Sequence, residues 1–275
     1  MHPYKLSIST SFNRDLGLAK QLPLIAAAGF SHVSLGAADA QSIAGSSSEQ
    51  RWLNALLDRY HLGVDTIHGP RLDLDDQRTC LTRLIDVAVT LGTHVVVAHA
   101  GPFDLRPDNL PPTLAIVLRS CETIAPVLDR AGVMLALENV MPGPATDLVR
   151  LALRELDPRF FGFCYDSAHD QIGGPRPPEL IDQLGDRLVA VHLSDRVRDF
   201  VDHVPPGDGF INWPIIMQSI GATDFAGPLL LEVLMVHSDE QDPARFLTRA
   251  YKRGCALQRF ADRDASSGRA HGGLA

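Results

Sequence analysis

Four residues have the types and positions to do chemistry together: Glu138, Asp166, His192 and Glu232. Glu138 follows Leu-Ala-Leu and Glu232 follows Leu-Leu-Leu, so each carboxylate interrupts an apolar run. An isolated ionised carboxylate in that setting is costly unless it is paired, protonated or bound to a cation. Asp166 and His192 close two further runs. Lys is absent from all of these ends, and Arg198 is the best-placed counter-charge. A divalent cation resolves the conflict. Three oxygens and one nitrogen suit Mn²⁺, Mg²⁺, Co²⁺ or Zn²⁺, and ligand type alone does not choose among them. A single acidic residue at such a position is more commonly a cap or an ion-pair partner; the argument rests on all four occurring on successive runs. His68 and His99 each precede a turn containing glycine and read either as hydrogen-bonded structural histidines or as ligands or substrate contacts. Asp195 reads as a cap for the loop that follows it, and Cys164 as a packed strand residue.

The segments that must position these residues alternate between two periods. Short β-branched runs at 4–10, 32–37, 63–69, 94–101, 133–140, 161–170, 188–195 and 228–233 read as strands, bounded by Gly, Asp, Asn or Pro. The intervening stretches have helical spacing. Leu81, Leu84, Ile85, Ala88 and Leu91 form one stripe, and Leu114, Val117, Cys121, Ile124 and Leu128 another. Ser46 with Glu49 predicts the start of a helix over 47–61, and Gly132 the end of one over 110–130. Eight strands with helices between them fit a single (β/α)8 TIM barrel of class α/β over residues 1–260. The alternative doubly wound sheet lacks its Gly-rich fingerprint after the first strand. In a barrel all the strand ends named above lie on one face. Residues 261–275 are small and polar and read as a disordered tail.

The 275 residues are 45% apolar and 21% charged, as expected of a globular chain with a sizeable core. The net charge of −8 opposes non-specific adhesion to nucleic acid or anionic membrane. No run is long enough for a membrane helix, and the first residues carry no signal-peptide h-region. The four cysteines are scattered without a CxxC pair, which argues against a disulfide framework and fits a reducing, cytoplasmic setting.

LENV at 137–140, YDSAH at 165–169, HLSD at 192–195, HVPPGDGFINW at 203–213 and LLLEV at 229–233 resemble, in order and spacing, the xylose-isomerase-like TIM barrel superfamily. That group includes sugar isomerases, ketose 3-epimerases, inosose dehydratases and zinc apurinic endonucleases. The resemblance implies that Glu138, Asp166, His192 and Glu232 hold one divalent ion, with Mn²⁺ the first expectation. It also implies that Glu138 and Glu232 double as the acid/base pair, and that His169 and Arg198 bind substrate oxygens, with His68 and His99 lining the pocket or holding a second ion.

The activity implied is isomerisation or epimerisation of a ketose or related sugar or cyclitol, by proton abstraction α to a carbonyl through a metal-stabilised enediolate. A lyase or dehydratase acting on an oxidised sugar, glycoside or inosose would use the same residues. The endonuclease branch adds histidines at the positions of His68, His99, His169 and His203, but its remaining Asp falls on Val201, with Asp202 one place away. A non-catalytic sugar-binding barrel would leave two glutamates in the ion's shell without a purpose. The expected partner is a small-molecule substrate, with neither nucleic acid nor membrane, and a homo-oligomer is compatible with the fold.

Overall fold

The computed structural model describes residues 4–74, 77–198 and 201–262. Eight parallel strands close into a barrel: β1 (Leu6–Ser9), β2 (His32–Leu35), β3 (Gly63–His68), β4 (Val95–His99), β5 (Met134–Glu138), β6 (Phe161–Asp166), β7 (Leu188–Leu193) and, after an inserted hairpin, β10 (Leu229–Leu231). The hairpin pairs β8 (Asp195–Arg198) antiparallel with β9 (Val201–Val204). β1 pairs with both β2 and β10, so the first and last barrel strands close the cylinder. The helices are α1 (Leu18–Ala28), α2 (Ala37–Ala44), α3 (Ser47–Tyr60), α4 (Gln77–Leu91), α5 (Leu110–Ala131), α6 (Pro144–Glu155), α7 (Ser167–Asp170), α8 (Glu179–Leu184), α9 (Trp213–Gly221) and α10 (Pro243–Asp262). This is the expected single (β/α)8 barrel.

Period-two alternation divides the strands between two cores. Val96, Leu135, Leu137, Phe163 and Val191 pack outward into the large core beneath the helices. Val97, Ala136, Cys164 and Ala190 form a separate small cluster inside the barrel. Both stripes foreseen on α4 and α5 are buried: Leu81, Leu84, Ile85, Ala88 and Leu91 on one, Val117, Cys121, Ile124 and Leu128 on the other. Leu114 is only partly buried at the edge of the second. The Ser46 hydroxyl accepts from the Glu49 N–H at 3.3 Å and starts α3, and Gly132, at φ 64°, ends α5 in the left-handed conformation. Beyond the small inner cluster, towards the strand ends, the inward residues are polar: His99, Glu138, Asp166 and His192.

Most expected strands are trimmed by one or two residues at their ends, and three differences from the sequence expectation are larger. The run 161–170 is a strand only to Asp166. There the Asp166 carboxylate accepts from the His169 N–H at 2.6 Å and turns the chain into α7. The run 188–195 stops at Leu193, and Asp195 opens the hairpin. A short helix, α2, precedes α3. At the other end, α10 continues through Ala261 and Asp262, and the remainder of the expected tail lies outside the described residues. No helix among the described residues is long and apolar enough to cross a membrane.

Candidate metal centre

Strand register brings the quartet together. His99 pairs with Glu138 across β4–β5, and Asp166 with His192 across β6–β7. Glu232 follows β10 directly, its N–H donating to the Leu193 carbonyl at 3.2 Å. β5, β6, β7 and β10 are neighbours in the barrel, so Glu138, Asp166, His192 and Glu232 meet on one side of its C-terminal mouth. One ligand atom from each lies within 4.8 Å of all the others. Glu138 and Asp166 are fully buried, and His192 is nearly so.

The polar atoms at the centre are short of partners. Both Glu138 carboxylate oxygens, Asp166 Oδ2 and both His192 ring nitrogens are buried without a hydrogen bond. They are close all the same: His192 Nδ1 lies 2.9 Å from Glu232 Oε2 and 3.3 Å from Glu138 Oε1, in ion-pair range but without hydrogen-bonding angles. Buried polar groups are ordinarily satisfied, and a cluster that is not calls for an ion. Three carboxylates and an imidazole converging on one point fit a divalent cation.

Four further histidines surround the quartet. His68 Nε2 and His99 Nε2 each approach Glu138 Oε2 at 3.3 Å. The His68 Nδ1–H donates to the Gly69 carbonyl at 2.9 Å, which fixes Nε2 as the nitrogen turned towards Glu138. The His169 Nδ1–H likewise donates to the Asn139 carbonyl at 3.0 Å. His203, at φ 54°, donates from Nδ1 to Asp202 Oδ1 at 3.0 Å, with Nε2 3.9 Å from Glu232 Oε2. His68, His99 and Glu138 form a second group with ligand-like spacing, and Asp166, His169 and His203 a third.

Charge balance without a cation falls to these rings. Burial opposes the charge on His169, but Asp166 and Glu138 raise its pKa to about 9. His192 is raised well above its ordinary value, because Cys164, Glu232 and Glu138 outweigh its burial. The carboxylates divide. Burial is outweighed for Glu138, which His192 and His99 hold well below the usual range, and for Glu232, which His192 brings to about 2. Asp166 goes the other way, raised by burial and by Glu138. Imidazolium charge does here what a bound cation would do.

Arg198 is exposed at the end of β8 and forms no ion pair with the quartet among the described residues. The buried arginine of the hairpin is Arg196. It donates to the Ala168 carbonyl at 2.9 Å and to Asp202 Oδ2 at 2.6 Å. Asp195 behaves as the cap foreseen, accepting from the N–H groups of Arg196, Gly207 and Ile211 and from Trp213 Nε1, all within 3.0 Å. Two residues at the site were not assigned from sequence. Asn139 clamps Asp166, accepting from its N–H at 2.7 Å and donating to its carbonyl at 2.9 Å. Phe103 packs edge-on against His169, with ring centroids 4.8 Å apart. The LEN motif held a hint of the first; nothing in its surroundings marked the second.

Residues 22–250 match the family described as Xylose isomerase-like TIM barrel. An uncharacterised protein of Sinorhizobium fredii is 30% identical over 163 residues, 56% of this chain and 52% of that protein, so the match spans about half of the relative's length. An inosose dehydratase of Geobacillus kaustophilus is 30% identical over 105 residues, 32% of each chain. Among solved structures, a D-psicose 3-epimerase determined with D-fructose has a TM-score of 0.75 at 16% identity, covering 94% of this chain and 99% of that one. The IolI protein with a zinc atom has 0.74 at 17%, covering 92% and 98%. At those identities the structural likeness shows the fold alone.

Proposed function

The chain belongs to the xylose isomerase-like TIM barrel family, and on that premise we propose that it is a divalent-metal-dependent isomerase or epimerase of a ketose or related sugar or cyclitol. The observation that supports this most directly is the group of unsatisfied buried atoms on Glu138, Asp166 and His192, with Glu232 within ligand distance of them. A cation held there, Mn²⁺ first, would supply the fixed positive charge that steadies an enediolate. Glu138, from β5, and Glu232, after β10, face the same small volume from different strands. One takes the proton next to the carbonyl and the other returns it. Return to the opposite face of the same carbon gives an epimer, and return to the neighbouring carbon gives the aldose. His169, held by Asn139, presents its other nitrogen to a substrate oxygen. Loss of a β-hydroxyl from the same enediolate would make the chain a dehydratase, as the Geobacillus relative is named.

A second reading draws on His68 and His99 beside Glu138 and on the third group, Asp166, His169 and His203, which together have the ligand spacing for more than one ion. That arrangement suits a multi-zinc phosphodiesterase. Two observations favour the first reading. The Asp202 carboxylate is already taken by Arg196 and by His203 Nδ1, and the chain carries −8 overall.

Solvent-deuterium incorporation into unreacted free ketoses, with wild type, Glu138→Gln and Glu232→Gln, tests the proposal. Wild type should exchange and both variants should lose at least about a hundredfold of the rate. Full exchange in either variant removes that residue from the mechanism. Two or three tightly held zincs per chain with cleavage of abasic DNA would replace the proposal by the second reading.

A further inference from the structure

Two residues before Asp166, and on the same inner face of β6, Cys164 pairs in register with Glu138 across β5–β6. Its side chain is 0% exposed, so the packed position expected from sequence holds. Its place adds a chemistry that packing does not require. Cys164 Sγ, a carboxylate oxygen of Glu138 and a ring nitrogen of His192 lie within 4.8 Å of one another. We propose that Cys164 gives this centre a second binding mode, in which a soft divalent ion of the Zn²⁺ or Cd²⁺ type is held by Glu138, Cys164 and His192 instead of by the quartet. The inference rests on the metal-centre reading and not on the isomerase or epimerase activity built upon it.

An ion in the quartet would leave donors over. Both His192 ring nitrogens are buried without a hydrogen-bond partner among the described residues, and one ion takes only one of them. Hardness then separates the two modes. Mn²⁺ and Mg²⁺ favour oxygen, which three carboxylates supply, whereas a thiolate selects softer ions. With Cys164 in place of Asp166 and Glu232 the donors become one oxygen, one nitrogen and one sulfur, a set suited to zinc. Charge points the same way. A carboxylate, a thiolate and a dication sum to zero, while the quartet with its ion keeps one negative charge. A neutral set is the cheaper one beside the apolar cluster to which Cys164 belongs, with Val97, Ala136 and Ala190. Asp166 and Glu232 then keep the neighbours they already have, His169 at 3.7 Å and His203 at 3.9 Å. On binding, the Cys164 S–H bond breaks, its proton leaves to solvent and a sulfur–metal bond forms. Glu138 and His192 serve both modes, so a soft ion should expel Mn²⁺.

The test titrates Co²⁺ and Cd²⁺ into the stripped full chain and follows the near-ultraviolet thiolate-to-metal charge-transfer band. Wild type is compared with Cys164→Ser and with a Cys80→Ser, Cys255→Ser double variant, which removes the two partly exposed cysteines. Wild type and the double variant should show the band at about one ion per chain, and Cys164→Ser should lose it. Competition with a chelating dye should give Zn²⁺ and Cd²⁺ affinities at least about a hundredfold lower in Cys164→Ser, with Mn²⁺ within about threefold of wild type. X-ray absorption of the Zn²⁺ form of the double variant should find one sulfur at ~2.3 Å, which decides the matter even where Cys164→Ser fails to fold. Ions bound without the band, or zinc surrounded by nitrogen and oxygen alone, would overturn the proposal and leave the quartet standing. A band that survives in Cys164→Ser would overturn it too. So would Mn²⁺ and Zn²⁺ affinities that fall together, since a thiol that only orients the His192 ring serves every ion alike. A chain that binds none of these ions would overturn the metal centre, and this proposal with it.

Discussion

Loading a cation into the quartet is a proton exchange. His192, held protonated by Glu232 and Glu138, must become neutral to act as a ligand, so binding expels a proton. Apparent Mn²⁺ affinity should therefore rise about tenfold per pH unit for each proton released between about pH 6 and 8. Competition with a chelating dye at three pH values measures it, and a flat profile would show that the rings are neutral beforehand. The stripped protein should show the converse. The raised pKa of His169, about 9 against the ordinary 6.5, stabilises the fold fully below pH 6.5, and the effect is lost as pH climbs through 9. Glu232, lowered to about 2 from 4.5, stabilises above pH 4.5 and loses that contribution as pH falls towards 2. Urea unfolding in chelator should lose on the order of 2 kcal/mol between pH 6.5 and 9. Equal midpoints at the two pH values would refute it. The quartet could be read from sequence because Glu138 and Glu232 are charges inside apolar runs, an expensive placement that demands a reason. The role of Asn139 was less legible: its side chain clamps Asp166 through the Asp166 N–H and carbonyl, a pairing that only the tertiary fold brings about.

Strands were the most legible elements, since β-branched runs ending in Gly or acidic residues leave few alternatives. The hairpin β8–β9 escaped because Asp195–Arg198 and Val201–Val204 are too short and polar to show a period, and its consequence is large. It places Arg196 inside and leaves Arg198, expected from sequence as the counter-charge and from the resemblance as a contact to substrate oxygen, exposed at the end of β8. One residue fixes that geometry. Asp195 accepts four hydrogen bonds, three of which tie β8 to the 207–213 loop, and Gly209 passes so close that an added Cβ would sit 2.2 Å from the Arg196 carbonyl and 2.3 Å from Asp195 Oδ1. Asp195→Ala should cost about 3 kcal/mol or more, and Asp195→Asn less, because the amide oxygen retains part of the acceptor set. Gly209→Ala should reproduce the loss by displacing the same backbone. Urea denaturation measures all three. A Gly209→Ala protein within about 0.5 kcal/mol of wild type would mean that the loop yields at little cost and that Asp195 does not lock it.

For the barrel as a whole, the candidate centre is a fault as well as a function. Three carboxylates are drawn together at one mouth of a closed cylinder, above an inner apolar cluster of Val97, Ala136, Cys164 and Ala190. Among the described residues only imidazolium offsets their repulsion, and burial, with Glu138 beside it, raises the Asp166 pKa. A bound ion removes the fault and joins four neighbouring strands, β5, β6, β7 and β10, at the rim. At a hundred times Kd it should add about 2.7 kcal/mol of stability, worth roughly 5–10 °C in Tm for a chain of this length. Asp166→Asn separates the two effects. The amide oxygen can still accept from the His169 N–H, so the start of α7 is kept while one negative charge is removed. In chelator the variant should be at least as stable as stripped wild type, since it relieves like-charge crowding. In saturating Mn²⁺ it should gain little, and wild type should overtake it. Scanning calorimetry of both proteins with chelator and with Mn²⁺ gives the four values. A stripped Asp166→Asn protein several degrees below stripped wild type would mean that the carboxylates are not in conflict and that the mouth of the barrel is balanced without an ion.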